Sequence, residues 1–367
     1  MGTLTLILFV VGLALLILGA EVLVRGASRL AAIMGVSPLV IGLTVVAYGT
    51  GSPELAVVVQ SALSGQSDIG LGNVVGSNIS NVLLILGLSA LVVPLVVSRR
   101  VVRLEVLLMI SVSFLLLVLA LDGNIGRPEG VLLFAGAVAY SVLALIRSRT
   151  VGEEDGQGER PTETEDGESV GESRGALVQI ALILIGITLL VVGSGWLVNG
   201  AVAIAEVVGL SDLIVGLTIV AVGTSLPELA TSLAAAARGE RDIAVGNIIG
   251  SNIFNILVVL GVAGILTPEG VNVPSGALTF DIPVMIAAAI ACLPIFYTGH
   301  LIARWEGALF FGYYIVYVLY LVLEATEHDA LDDFRFAMVT FVLPLTAVTL
   351  LTLAIRSFRA RRRRRTS

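Results

Sequence analysis

The 367-residue chain contains no lysine; all 21 of its basic residues are arginine. It has one cysteine, Cys292, two histidines, His300 and His328, and only 13% charged residues. A lone cysteine excludes an internal disulfide framework and a multi-cysteine metal site. Two histidines leave little from which to build a zinc or copper centre. So little charge excludes an ordinary soluble domain, in which about a quarter of residues are charged. What stands in place of charge is apolar length. Hydrophobic residues make up 57% of the chain, and they gather in runs of about 20, enough to cross a bilayer as a helix. Residues 1–20 are apolar and lack a basic leader, so they read as a first span and not as a cleaved signal peptide.

Eleven spans are predicted, near 3–23, 37–63, 69–95, 102–121, 129–147, 176–198, 212–237, 243–266, 279–298, 304–323 and 337–355. Only helices suit spans this apolar, because lipid offers no partner to open backbone groups. Arginine placement sets the expected orientation in the cell membrane. With the N-terminus outside, 19 of the 21 arginines fall on the cytoplasmic side, and only Arg127 and Arg335 fall outside. The run Arg361 to Arg365 then lies in a cytoplasmic C-terminal tail. It reads first as a topology anchor, and it also offers a contact for anionic lipid headgroups.

Residues 150–175 are mostly Gly, Glu, Asp, Ser and Thr. They are expected to form a disordered, acidic cytoplasmic linker too short to hold a folded regulatory domain. This linker divides an internal repeat. Shifting the sequence by 174 aligns Gly42–Gly87 with Gly216–Gly261 without a gap, and 25 of the 46 positions are identical. The identities include Thr50/Thr224, Pro53/Pro227, Glu54/Glu228, Asp68/Asp242, Asn73/Asn247, Ser77/Ser251, Asn78/Asn252 and Asn81/Asn255. Each copy holds five predicted spans. An odd number sends the second copy in from the opposite face, so the copies are inverted, as in many secondary transporters. The expected fold is therefore an all-α polytopic membrane protein with a ten-helix core and one extra helix. The first repeat occupies 1–149 and the second 176–323. The extra helix lies in 324–367, after an acidic outside loop that carries Glu324, Glu327, Asp329, Asp332 and Asp333.

Each copy interrupts an apolar run with Gly, a hydroxyl, Pro and Glu: Ala47 to Glu54 in the first, Ala221 to Glu228 in the second. Pro53 and Pro227 lack an N–H, and Gly49, Gly51 and Gly223 relax the backbone, so each span is expected to break near the bilayer centre. Ser52 is placed to cap the second half of the first break. Carbonyls left free at the break, such as that of Ala47, are ligands for hard cations. Glu54 and Glu228 add carboxylates, and Thr50 and Thr224 add hydroxyls one turn earlier. In the following spans Ser77 and Asn81, and likewise Ser251 and Asn255, are four apart and share a helix face. Gly76 and Gly250 are expected to pack, and Asp68 and Asp242 to cap helices. Glu21, Glu105, Asp281 and Glu306 are expected to pair with arginine or to sit at the membrane interface. The gathered donors are all oxygens, which suits Ca²⁺, Na⁺ or Mg²⁺ and not the softer metals. Two carboxylates balance one Ca²⁺, which also tolerates irregular cages better than Mg²⁺ does.

These two motifs resemble the α-repeats of the calcium/cation antiporter superfamily, and in particular its prokaryotic sodium/calcium exchanger family. The resemblance runs over roughly residues 1–323. It implies antiport of Na⁺ against Ca²⁺ by alternating access, with no enzymatic activity and no cofactor beyond the transported ions. It implies that Glu54 and Glu228 bind Ca²⁺ beside Thr50 and Thr224. Na⁺ would use these together with Ser77, Ser225, Ser251 and the carbonyls of Ala47 and Ala221. It further implies three Na⁺ per Ca²⁺. The chain departs from the family pattern at Gly51, where a serine is usual, and at Asn255, which is Asp in several relatives and argues here against K⁺ coupling. Ca²⁺/H⁺ exchange within the same superfamily is the nearest alternative. A passive cation channel and an intramembrane hydrolase are the alternatives of other classes.

Overall fold

The computed structural model describes residues 3–63, 67–97, 104–154, 168–208, 221–297 and 301–344. The linker residues 155–167, the start of the seventh predicted span, most of the eleventh span and the arginine tail lie outside the described residues. Helix is found in each of the first ten predicted spans. Among the described residues, six helices are long and apolar enough to cross a membrane unaided, or seven when one bent pair is counted as a single span.

The two longest helices, α1 (Thr3–Met34) and α2 (Glu168–Val208), lie side by side. Glycines let them approach. A Cβ on Gly12 would stand 2.8 Å from the Gly193 carbonyl oxygen, and one on Gly19 would stand 2.9 Å from that of Gly186. Residue numbers fall along one helix as they rise along the other, so the pair is antiparallel. Gly12 and Gly186 are repeat equivalents, as are Gly19 and Gly193, so the two contacts exchange under a two-fold rotation. That is the relation expected of inverted copies.

The same two-fold recurs farther along. Gly87 and Gly261, equivalent residues, meet Gly307 and Gly130 of the facing helices α3 (Arg304–Ala325) and α4 (Arg127–Glu154). Small residues at such crossings bring helix backbones close where no hydrophobic drive operates. Two short antiparallel strand pairs close the ends. β1 (Leu95–Val96) pairs with β4 (Leu301–Ile302), and β2 (Asn124–Ile125) pairs with β3 (Val271–Asn272). Every one of these pairings joins one copy to the other.

Several local expectations are corrected. Arg25 and Arg29 lie on α1, not in a loop, because α1 continues until Gly35 turns the chain at φ 62°. Ser37 and Pro38 then start the next helix, with the Ser37 side chain accepting from the Val40 N–H at 3.4 Å. The linker is narrower than its composition suggests, since α4 runs to Glu154 and α2 begins at Glu168. Glu and Arg at these ends are good helix formers and extend the hydrogen-bonded spans past the apolar residues. Glu21 does pair with Arg25, at 2.6 Å, and also with Arg238. Glu105 and Asp281 accept from Tyr140 and Tyr317, at 3.1 and 3.0 Å, and Glu306 accepts from the Ala303 N–H at 2.8 Å. Asp242 lies in the first turn of its helix, and the cap position is Glu240.

The glycine crossings generate a stability prediction. A Cβ on Gly307 would stand 2.7 Å from the Gly87 carbonyl oxygen, and one on Gly261 would stand 2.9 Å from the Phe134 nitrogen. Both neighbours are backbone and cannot rotate away. Gly307→Ala and Gly261→Ala should each destabilise the protein by about 1–3 kcal/mol, despite the helix-propensity gain of alanine. A melting temperature in detergent at or above that of the unaltered chain would contradict the packing described.

Candidate cation site

The break in the first copy is a 45° bend between Pro38–Thr50, α5, and Ser52–Leu63, α6. Gly51 forms the corner at φ −78° and ψ 1°. In the second copy Ser225 has φ −85° and ψ 7°, between Ala221–Gly223, α7, and Leu226–Ala237, α8. The two corners share one conformation, and one of them bears a side chain. Gly51 is therefore not glycine for the sake of its backbone angles, contrary to the expectation for this position. Gly49 and Gly223 are helical, and a Cβ on either would collide with a side chain of α2, Ile187 or Val198. Ser52 does not cap α6. Its hydroxyl donates back to the Gly49 carbonyl, tying the two half-helices together. The Ala47 carbonyl is not free, because it accepts from the Gly51 N–H at 3.0 Å. Its second lone pair remains.

The bends bring Glu54 and Glu228 into the interior, where they are 1% and 2% exposed. Their surroundings come largely from the opposite copy. Thr50 donates to Asn247 Oδ1 at 3.2 Å, and Asn73 donates to Thr224 Oγ1 at 3.4 Å. The two residue pairs are repeat equivalents, although the threonine donates in the first and accepts in the second. Ser225 Oγ lies 3.4 Å from Glu54 Oε1 and 3.2 Å from Ser77 Oγ. Asn247 also donates to Ser232 Oγ at 3.0 Å and to the Glu228 carbonyl at 3.4 Å.

The helices that follow the breaks complete the centre. They are α9 (Ser67–Ser80) and α10 (Arg241–Phe254). Each widens into a π-helical stretch whose first residue is the repeated asparagine, Asn81–Leu86 and Asn255–Leu260. Wide turns of this kind are frequent at functional sites. Asn255 donates to Asn78 Oδ1 at 3.1 Å, and Asn78 donates to the Asn252 carbonyl at 3.2 Å, which binds α9 to α10. Asn252 turns to its own helix instead, donating to the Ile248 carbonyl at 2.7 Å.

Several buried polar atoms have no hydrogen-bond partner. Among the described residues they include Glu54 Oε2, both carboxylate oxygens of Glu228, both polar atoms of Asn81, Ser251 Oγ and Asn255 Oδ1, with others such as Asn73 Oδ1, Ser80 Oγ, Thr231 Oγ1 and Gln179 Oε1 elsewhere in the interior. Unpartnered groups in a protein interior are costly, carboxylates above all. A cluster of them built almost wholly of oxygen suits a dehydrated hard cation. No three His, Cys, Asp or Glu side chains converge among the described residues. The cluster thus combines two carboxylates with neutral hydroxyl and amide oxygens.

Of the residues singled out in the sequence, Glu54, Glu228, Thr50, Ser77, Ser225, Ser251, Asn81, Asn255 and Ala47 are all buried, and Thr224 is half-buried. Ala221 opens α7, and Pro53 and Pro227 stand in the first turns of α6 and α8. Gly250 packs as expected, since a Cβ there would stand 2.6 Å from the Leu43 carbonyl oxygen, but Gly76 does not, since a Cβ there would meet nothing within 4 Å. Sequence reasoning gave no role to Asn73, Asn247, Asn78, Asn252 or Ser232. The first four were visible as repeat identities. Ser232 left no such trace, because its equivalent is Val58.

Comparison with known proteins bears on this arrangement. The model of the "Sodium/calcium exchanger protein" family matches residues 4–146 and again 178–323. The chain belongs to the sodium/calcium exchanger family. As a member it is a membrane antiporter of Ca²⁺ and other cations, not an enzyme. Among its relatives is a putative antiporter, CaxA, of Alkalimonas amylolytica, 41% identical over 78% of this chain and 88% of the relative. The sodium/calcium exchanger MaX1 of Methanosarcina acetivorans is 32% identical over 88% of this chain and 99% of the relative. A solved structure of the sodium-calcium exchanger NCX_Mj superposes with a TM-score of 0.73 at 31% identity, covering 87% of this chain and 99% of that one.

The unequal partners of the two repeated asparagines generate a prediction for this family member. Asn247 holds Thr50, Ser232 and the Glu228 carbonyl, whereas among the described residues Asn73 bonds Thr224. Asn247→Ala should cost about 1–3 kcal/mol of stability and depress Ca²⁺ uptake into proteoliposomes, with Asn73→Ala milder on both counts. Equal effects, or a milder Asn247→Ala, would contradict the arrangement.

Proposed function

We propose that the chain exchanges Na⁺ for Ca²⁺ by alternating access, with Glu54 and Glu228 holding one Ca²⁺ or sharing Na⁺ ions. The observation that carries this reading is the cluster of unpartnered buried oxygens on those two carboxylates and their neighbours. One Ca²⁺ neutralises the pair, and Na⁺, similar in size and in its preference for oxygen, competes for the same atoms. Thr50, Thr224, Ser77, Ser251, Ser225, Asn81, Asn255 and the carbonyls of Ala47 and Ala221 supply the neutral ligands. Pro53 and Pro227 maintain the breaks that open the cage, while Gly49 and Gly223 let the helices before the breaks sit against α2. The hydroxyl ligands favour Na⁺ over H⁺ as the coupled ion, since a proton needs only a carboxylate. The names of MaX1 and NCX_Mj support the same assignment.

In the cell membrane the N-terminus lies outside and the C-terminus in the cytoplasm, by the distribution of arginine. The segment between the repeats is a cytoplasmic tether, and Arg361–Arg365 anchors the topology beside anionic lipid.

Reconstituted vesicles test the coupling. Ca²⁺ uptake should follow an imposed Na⁺ gradient and not a pH gradient; the reverse result would identify a Ca²⁺/H⁺ exchanger. Flux needing no counter-ion would identify a channel. Glu54→Gln and Glu228→Gln should each abolish Ca²⁺ uptake, and retained Na⁺-driven uptake in either variant would overturn the ligand assignment.

A further inference from the structure

The turn between α8 and α10, Arg238 to Glu240 with Gly239 at φ 83°, grips α1 at two points. Arg238 forks onto the Glu21 carboxylate, with Nε 2.6 Å from Oε2 and Nη2 on Oε1. Ser28 donates to Glu240 Oε1 at 2.6 Å. Glu21 and Ser28 lie two turns apart on one face of α1, with Val24 between them. This end of α1 is seated firmly, since Leu23, Val24, Ala27, Leu30 and Ala31 are all buried. A forked arginine–carboxylate pair is among the stronger contacts available to partly exposed side chains, and its geometry is specific.

The sequence cannot build the image of this grip at the other end of the protein. The repeat equivalents of Glu21, Arg25, Ser28, Arg238 and Glu240 are Gly195, Asn199, Val202, Ser64 and Gln66, none of them charged. No basic residue lies between Arg29 and Arg99, so α5, α6 and α9 have no arginine to offer α2. Burial follows the same inequality. Leu197, Val198, Ala201 and Ile204 of α2, the equivalents of Leu23, Val24, Ala27 and Leu30, are only half-buried. In inverted copies the second access state is the one in which the copies exchange arrangements. For that exchange α1 must leave the α8–α10 turn, and Arg238 must release Glu21. Arg25 makes the release tolerable, because it already holds Glu21 at 2.6 Å from one turn along the same helix and keeps the carboxylate paired.

We propose that the Glu21–Arg238 pair, braced by Ser28 and Glu240, is a latch that sets which end of the cation site is shut at rest, holding closed the end that the arginine distribution puts in the cytoplasm. This rests on the alternating-access reading above. Glu21 and Arg238 are positioning residues, which act through the seating of α1 on α8. The latch forms in one access state and has no image in the other. It therefore makes the two states unequal in energy, although the cation site between them is nearly symmetric.

The test is the rate at which a membrane-impermeant maleimide, present on both faces of proteoliposomes, labels single-cysteine variants of the full chain in a Cys292→Ala background. Val24→Cys reports on the end under α1, and its repeat equivalent Val198→Cys reports on the other end. Glu21→Gln should raise the rate at Val24→Cys about 2- to 5-fold, the range open to a partly exposed ion pair. The same change should lower the rate at Val198→Cys by a smaller factor, because that position is exposed in the majority state. Arg238→Glu should act in the same directions and more strongly, and adding Glu21→Arg to it should restore slow labelling at Val24→Cys. Where Glu21→Gln does not fold, Arg238→Gln serves in its place. A pair that only held the fold together would loosen both ends. Rates that rise at both reporters, or that change at neither, would overturn the inference while leaving Na⁺/Ca²⁺ exchange intact. Ca²⁺ uptake driven by a pH gradient and not by Na⁺ would overturn the choice of coupled ion and leave the latch to the two reporters. Flux needing no counter-ion would overturn both.

Discussion

Two carboxylates buried in an apolar bundle are tolerable only if something meets them, and here most of what meets them comes from the other copy of the repeat. Thr50 is held by Asn247, Thr224 by Asn73, and Glu54 by Ser225. Leaving one buried polar group unpaired costs about 1–3 kcal/mol, and a charge costs more. Neither copy can satisfy its own site residues. The glycine crossings and the strand pairs follow from this requirement, because they hold the two copies at the separation the cross-bonds need. The oxygens that remain unpaired after all these bonds are made are the ones that a cation can use.

The symmetry that builds the site is not kept throughout. Val58 and Ser232 are equivalent positions, and only the second gives its asparagine neighbour an extra bond. Tyr48 and Phe254 stand in one half where Val222 and Ser80 stand in the other. The repeat fixes where the two glutamates sit and how the helices bend. The substitutions between copies give the two corners different side chains and different bonds. A duplicated scaffold lets these two requirements separate, since a change in one copy leaves the backbone of its image untouched.

Much of this was legible in the sequence. The length of the apolar runs, the 174-residue repeat and the Gly-Pro-Glu interruptions located the helices, the breaks and the two buried carboxylates with several of their hydroxyl and amide neighbours. Other features depend on partners far away in sequence, which no local pattern reveals. Gly51 looked like a backbone hinge, and its cause is a phenylalanine about two hundred residues later. Glu105 and Asp281 looked like interfacial acids because their tyrosine partners belong to other helices. Asn73 and Asn247 were conspicuous as identities, but asparagine in an apolar helix can pack, cap or ligate. Only the neighbouring threonine of the opposite copy distinguishes these roles.

The cross-bonds also make the order of synthesis matter. Thr50 meets Asn247 across 197 residues of chain, and Asn73 meets Thr224 across 151. At translation rates of about 5–20 residues per second, Thr50 waits about 10–40 s for its partner. For most of that interval the first copy carries Glu54, Asn73 and Asn78 without the neighbours that the second copy brings. A half-made chain therefore holds a wet or unpaired polar seam that only completion of the second copy can close. Residence beside the insertion machinery, or transient cover from another protein, is a need written into the geometry of the finished site.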